Sequence, residues 1–354
     1  MPSKEMRKKI GQLFMFGFEG RNITPYVKEL VSKHRVGGVI LFGRNISEPA
    51  QAWELIRSLK APHLLVSVDH EGGRVVRLPE PVTRFAPAAN LGILNSPELA
   101  YSVGLAQGKE LAAIGFNLNY APILDLSTNP LNRVIADRAF SDDPEVVAHL
   151  APHYARGLSD AGVLACGKHF PGHGDTREDS HQLQPRVAAS EGQLQSRELV
   201  PFAAAIKAGM KALMSAHVVY EGIDPGAPAT LSRTLLTELL RKKMGFGGVI
   251  FTDDLEMKGL SDHYDVEDRT ILALQAGADM LLYCHSPDVQ MRALETVYRA
   301  VDGRIIKESR IEESYQRIQD LKKGLGKPLI APDKSALYAV LNNPEHKALA
   351  ASTS

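Results

Sequence analysis

Residues 163–181, "VLACGKHFPGHGDTREDSH", begin as an apolar run and finish as a polar loop. The opening "VLACGK" (163–168) is continuously apolar until its last residue, the character of a parallel strand covered on both faces. Polarity arrives where that strand would end, at Lys168 and His169. Whether this is an isolated event or one unit of a repeat decides the fold.

It is a repeat. Seven more short apolar runs occur: "LFMFGF" (13–18), "GVILFG" (38–43), "LLVSVD" (64–69), "NLNYAP" (117–122), "ALMSAH" (212–217), "GVIFTD" (248–253) and "MLLYCH" (280–285). Nearly every one runs into charged or hydrogen-bonding residues at its C-terminal end: Arg44 and Asn45, Asp69 to Glu71, Asp125, His217, Asp253 and Asp254, His285. Helical periodicity fills the intervals, as in "SPELAYSVGLAQGKELAAIG" and "DPEVVAHLAPHYARGLSDAG", and several of these segments stop at Gly just before the next strand. Strand then helix, eight times, predicts an α/β fold of the (β/α)8 TIM type, in which all eight strand ends converge on one face. A doubly wound open sheet would instead collect its polar residues at one switch point, and no G-x-G-x-x-G follows the first strand. One catalytic barrel is expected over residues 1–335. The Pro-, Asn- and Ala-rich stretch 336–354 reads as a peripheral, poorly packed tail.

Composition narrows the function. Forty-one basic and 41 acidic residues cancel, so no basic excess serves a nucleic-acid backbone. No run approaches the 18 or so apolar residues of a membrane span, and the N-terminal apolar stretch lacks a small-residue cleavage site. A cytoplasmic protein with neither nucleic-acid nor membrane partners is expected; an oligomeric state is not specified. The two cysteines, Cys166 and Cys284, sit inside apolar runs and read as buried thiols.

The polar half of the opening stretch admits two chemistries. His169 and His173 are four apart, but Pro171, Gly172 and Gly174 oppose the helix that would make this spacing a metal site. A metal-dependent barrel hydrolase with His169, His173 and Asp253 as ligands is thus one reading. In the other, Asp179 and His181, two apart in extended chain, form a pair in which the carboxylate fixes the imidazole tautomer and raises its basicity. His181 then becomes an acid/base at the rim, and its Gly-rich loop is expected to move when ligand binds. Its counterpart across the mouth is Asp253 or Asp254, one of which could instead cap the helix that follows. Asp69, Arg74 and Arg77 around a Gly-Gly turn, with Arg138 in "NRVIADRAF", suit a hydroxyl-rich ligand. A non-catalytic sugar-binding barrel would use the same residues.

Taken together, "KHFPGHGDT" with "DSH", "LLRKKMGFGGVIFTDDLEM" and "SVDHEGGRVVRL" resemble glycoside hydrolase family 3, and more narrowly its bacterial β-N-acetylglucosaminidase branch, over roughly residues 5 to 325. The resemblance implies a retaining exo-β-N-acetylglucosaminidase acting on peptidoglycan (anhydro-muropeptide) fragments, without metal or cofactor. Family members also cleave β-glucosides and chitin fragments (chito-oligosaccharides) or use phosphate as acceptor. It implies Asp253 as nucleophile, His181 as acid/base assisted by Asp179, and Asp69, Arg77, Arg138, Lys168 and His169 as the residues that hold the sugar.

Overall fold

In the computed structural model, which describes residues 2–61, 63–177, 184–325 and 329–354, eight parallel strands close into a barrel. In chain order these are β1 (Phe14–Gly17), β2 (Gly38–Ile40), β3 (Leu65–Val68), β4 (Leu118–Asn119), β5 (Leu164–Phe170), β6 (Ala212–Ser215), β7 (Val249–Asp254) and β8 (Met280–Tyr283). Each pairs with its neighbour in sequence, and β8 returns to β1 through Phe14–Leu281 and Met15–Leu282. All eight expected strands are present, most of them shorter than their apolar runs. "NLNYAP" contributes only two strand residues, and pairing with β5 resumes in an isolated bridge between Ile123 and Lys168.

Helices form where periodicity and caps coincide. Ser96 accepts from Leu99 N at 3.2 Å to start Pro97–Ile114, and Gly115, at φ +115°, ends it in a conformation that glycine adopts without steric penalty. Asp143 caps Pro144–Asp160 in the same manner, accepting from Glu145 N at 2.9 Å. Inside the barrel, the rings of Tyr120 (after β4) and Phe251 (β7) meet edge-on at 5.8 Å. Those strands are not neighbours, so this contact crosses the interior: the barrel is filled with side chains rather than open as a pore. Both thiols are free and buried, and burial pushes them up in pKa. Among the described residues no helix is long and apolar enough to cross a membrane.

The C-terminal stretch departs from expectation. Residues 334–352 form two helices, Lys334–Leu341 and Pro344–Ser352, that lie against Pro97–Ile114. Leu337 and Leu341 are fully buried, and His346 Nδ1 sits 2.8 Å from the Glu110 carboxylate. That carboxylate also accepts from Thr83 N and Oγ1. Leucines spaced four apart place one apolar face toward the body, a periodicity obscured by the flanking Pro and Asn residues. The segment is packed, not loose. Leu341→Ala is therefore expected to cost about 2–4 kcal/mol in urea unfolding; an unpacked tail would show no change.

Candidate active site at the barrel mouth

The C-terminal strand ends enclose a cavity of about 810 Å³ lined by Asp69, Arg77, Arg138, Lys168, His169 and Asp253, among others. Six of the eight residues singled out by sequence thus share one space. The other two, Asp179 and His181, lie outside the described residues.

Two strand irregularities coincide with site residues. Along β5, Gly167 pairs with Leu213 but Phe170 with Ser215, so three steps on one strand match two on the next. The extra residue falls at Lys168–His169. Along β7, Phe251 pairs with Met280 and Asp254 with Leu282, which places another at Thr252–Asp253. A bulge of this kind re-aims side chains that a regular pleat would send alternately in and out.

Lys168 Nζ donates to Asp69 Oδ1 at 2.7 Å and lies 2.7 Å from Glu71 Oε1. Arg138 holds Glu71 through two parallel bonds of 2.8 Å, Nε to Oε2 and Nη2 to Oε1. Burial alone would raise the Glu71 carboxyl, but the Arg138 and Lys168 charges overcome it and hold the group below the usual carboxylate range. Burial likewise opposes the Lys168 ammonium, and the Asp69 and Glu71 charges reverse that and raise it. Glu71, Lys168 and Arg138 thus stay ionised in a buried floor, with fixed donors and acceptors ready for hydroxyl groups.

His169 is held from behind. Its Nδ1 lies 2.6 Å from Asp125 Oδ2, while Asp125 Oδ1 accepts from the backbone N of both His169 and His173. Burial would raise the Asp125 carboxyl, yet the neighbouring His169 brings it down, so the carboxylate persists and fixes the imidazole. A Cβ on Gly174 would lie 1.6 Å from Leu126 O, so only glycine lets this loop run so close to the chain after β4.

The two aspartates of β7 have different surroundings. Asp254 Oδ1 accepts from Glu256 N at 3.0 Å and Cys284 N at 3.2 Å, and Oδ2 lies 3.2 Å from His285 Nε2. Asp254 O is also 2.9 Å from Nε2 of the buried His217. Its carboxylate therefore ties β7 to the chain after β8. Asp253 Oδ1 accepts from Asp254 N at 2.8 Å and its carboxylate belongs to the cavity. Arg77 also lines the space, and its buried Nε has no hydrogen-bond partner among the described residues.

The cavity thus combines a floor of fixed charges with a carboxylate at the end of a barrel strand. The glycosyl hydrolase family 3 N-terminal domain aligns with residues 5–321. The chain belongs to glycosyl hydrolase family 3. It is a glycoside hydrolase. A beta-hexosaminidase of Thioalkalivibrio sulfidiphilus is 44% identical over 292 residues, 80% of this chain and 83% of the relative. One from Nitrosomonas eutropha is 37% identical over 319 residues, 87% and 91% of the two chains. Among solved structures, a family 3 beta-N-acetylglucosaminidase from a Paenibacillus strain superposes with TM-score 0.92 at 39% identity, covering 98% of this chain and 68% of its own. NagZ from Neisseria gonorrhoeae, in complex with N-trifluoroacetyl-D-glucosamine, superposes with TM-score 0.80 at 34% identity and 96% coverage of each chain.

Among the described residues no group of three or more His, Cys, Asp or Glu side chains is disposed to hold an ion. The His173 Nδ1 lies 3.0 Å from Thr176 Oγ1, which orients its ring. Residues that sequence reading gave no role are Glu71 and Asp125. Each sits in a polar strand end, which is a signal of location but not of partner. Glu71→Gln is expected to lower kcat/KM about 10–100-fold by loosening both Arg138 and Lys168, measured as initial rates on an aryl glycoside. The sign of its pH linkage is set by a depressed carboxyl: the stabilisation is complete above the unfolded value near 4.3 and is lost only as pH falls through the lower folded value.

Proposed function

We propose that the chain is a retaining exo-β-N-acetylglucosaminidase that releases terminal β-linked N-acetylglucosamine from peptidoglycan fragments in the cytoplasm. The observation that carries this reading is Asp253 facing the same closed-floored cavity as Asp69, Arg138, Lys168 and His169. The names of its relatives, beta-hexosaminidase and NagZ, support the sugar.

Asp253 attacks the anomeric carbon as the bond to the leaving oxygen breaks, and His181 gives that oxygen its proton. A glycosyl-aspartate ester results. His181, now neutral, takes a proton from water, whose oxygen attacks the same carbon and frees the Asp253 carboxylate. Two inversions give net retention. An imidazole with a reference pKa of roughly 6.5 serves both steps near neutral pH, and Asp179 orients it. In sequence His181 is four positions after Arg177, which lines the cavity.

Side-by-side kinetics on an aryl β-N-acetylglucosaminide and the matching β-glucoside, with the product anomer followed by NMR, tests the proposal. Preference for the acetamido sugar with a β product first formed is expected. Comparable rates on the glucoside, or an α product, would overturn it. Prolonged chelation is expected to leave the rate unchanged.

A further inference from the structure

The ladder between β6 and β7 ends before it reaches Asp253: its last pair is Ser215 with Thr252. The connection onward is made by a side chain. His217, two residues past the end of β6, sets its Nε2 2.9 Å from Asp254 O. A carbonyl oxygen only accepts, so Nε2 carries a proton and donates it to that bond. His217 is buried behind the cavity wall; Asp253 and Asp254 line the space and His217 does not.

The other side of the ring is also held. Nδ1 lies 2.9 Å from Thr230 Oγ1, and Ser215 Oγ lies 2.8 Å from the same oxygen, all three side chains being buried. Burial lowers the His217 pKa against the opposing pull of the Asp253 charge, so the ring is neutral near pH 7. A neutral ring with its proton on Nε2 accepts at Nδ1; Thr230 therefore donates to it, and Ser215 donates to Thr230. Thr230 is placed by the turn Ala229–Leu231, where its backbone N donates to Ala216 O at 3.1 Å. Beyond the ring, Asp254 N donates to Asp253 Oδ1 at 2.8 Å. Ser215, Thr230, His217 and Asp254 thus form one line of bonded groups that ends on the Asp253 carboxylate. From the opposite side, the Asp254 carboxylate ties the same residue to Cys284 N, after β8.

We propose that His217 is a positioning residue for the reaction: by fixing Asp254 from the β6 side, it aims the Asp253 carboxylate at the anomeric carbon. The inference rests on the reading of Asp253 as nucleophile. Asp254 is gripped at its carbonyl from the chain after β6 and at its carboxylate from the chain after β8, which sets the direction of the N–H that holds Asp253 Oδ1. The bulge at Thr252–Asp253 has interrupted the regular ladder that would otherwise fix this strand end. Without the imidazole donor, Asp254 O is a buried acceptor left unmade, and the strand end shifts to find another partner. A shift on the order of 1 Å is enough to slow an in-line attack about a hundredfold. Asp69, Arg138 and Lys168, which hold the sugar from other parts of the barrel, keep their places, so the loss falls on kcat rather than KM.

The test compares His217→Leu, His217→Gln and Thr230→Val with the wild-type chain on an aryl β-N-acetylglucosaminide. His217→Leu, which has no donor, is expected to lower kcat about 30–100-fold with KM within about twofold. His217→Gln, whose amide nitrogen takes the place of Nε2, is expected to come back to within about fivefold of wild type. Thr230→Val, which leaves Nδ1 without its donor and lets the ring proton move there, is expected to lose about fivefold in kcat. Calorimetric affinity for free N-acetylglucosamine is expected to match wild type in every variant. A His217→Leu kcat within about threefold of wild type, a His217→Gln no better than His217→Leu, or an affinity that falls in step with kcat overturns the proposal. If His217→Leu does not fold, Thr230→Val decides: the kcat loss supports the proposal and wild-type kcat overturns it. Wild-type kcat in Asp253→Asn would defeat the nucleophile reading itself, a result separate from any given by the His217 and Thr230 variants.

Discussion

Asp253→Asn is expected to lower kcat on an aryl β-N-acetylglucosaminide by at least about a thousandfold, corresponding to some 4 kcal/mol of lost barrier reduction. An amide of the same shape keeps the bond from Asp254 N to the side-chain oxygen but is a far poorer nucleophile. Asp254→Asn provides the comparison. Its carboxylate bridges the backbone after β7 and β8, so its replacement is expected to cost only about 10–100-fold, through misplacement of Asp253. If the two variants reversed order, the nucleophile would be Asp254. His181→Ala is expected to hurt a sugar leaving group more than a nitrophenolate, because a weakly basic leaving oxygen needs less protonation.

Asp279→Ala is expected to destabilise the fold by about 3–5 kcal/mol, because a buried carboxylate that neutralises several cations would vanish while the cations remain. Asp279 is fully buried just before β8, at the end of the barrel opposite the cavity. Its Oδ2 accepts from Arg241 Nη2 and from Ile250 N at 3.0 Å. Oδ1 accepts from Ser314 Oγ at 2.6 Å and Arg317 Nη1 at 3.1 Å, with Arg310 Nη1 3.6 Å away. Burial lowers the Arg241 pKa to about 10 even with Asp279 beside it. One carboxylate therefore joins the start of β8 to β7 and to helix Glu308–Lys323. Urea titration of both proteins gives the difference. A loss under about 1 kcal/mol would mean that water compensates the arginines once the acid is gone. Because this end of a barrel carries stability rather than chemistry, kcat well below the unfolding transition is expected to stay within about twofold of wild type.

Much of the architecture was legible in the chain because it depends on local pattern. Continuous apolar runs alternating with helical periodicity specify parallel strands covered by helices, and polar residues after each run mark the converging face. Asp69, Lys168, His169 and Asp253 lie at or just beyond a strand end, where position alone brings them to the mouth, whereas Arg77 and Arg138 reach it from the longer loops after β3 and β4. Packing of the C-terminal helices was not legible, since Pro and Asn at their caps looked like loop composition, and the acceptor for His346 is Glu110, 236 positions earlier.

What sequence by itself determined, then, was the set of side chains delivered to the catalytic rim, because a period of two or 3.6 residues is a short-range property. What only the tertiary structure decided was the pairing among them: Lys168 with Asp69 and Glu71, Glu71 with Arg138, His169 with Asp125, and Asp254 with the chain after β8. These partners lie between 30 and 99 residues apart and meet because the barrel closes and two bulges turn β5 and β7 inward. Charge pairing at such separations is selected by the free energy of the closed, desolvated site as a whole, and no window along the chain contains it.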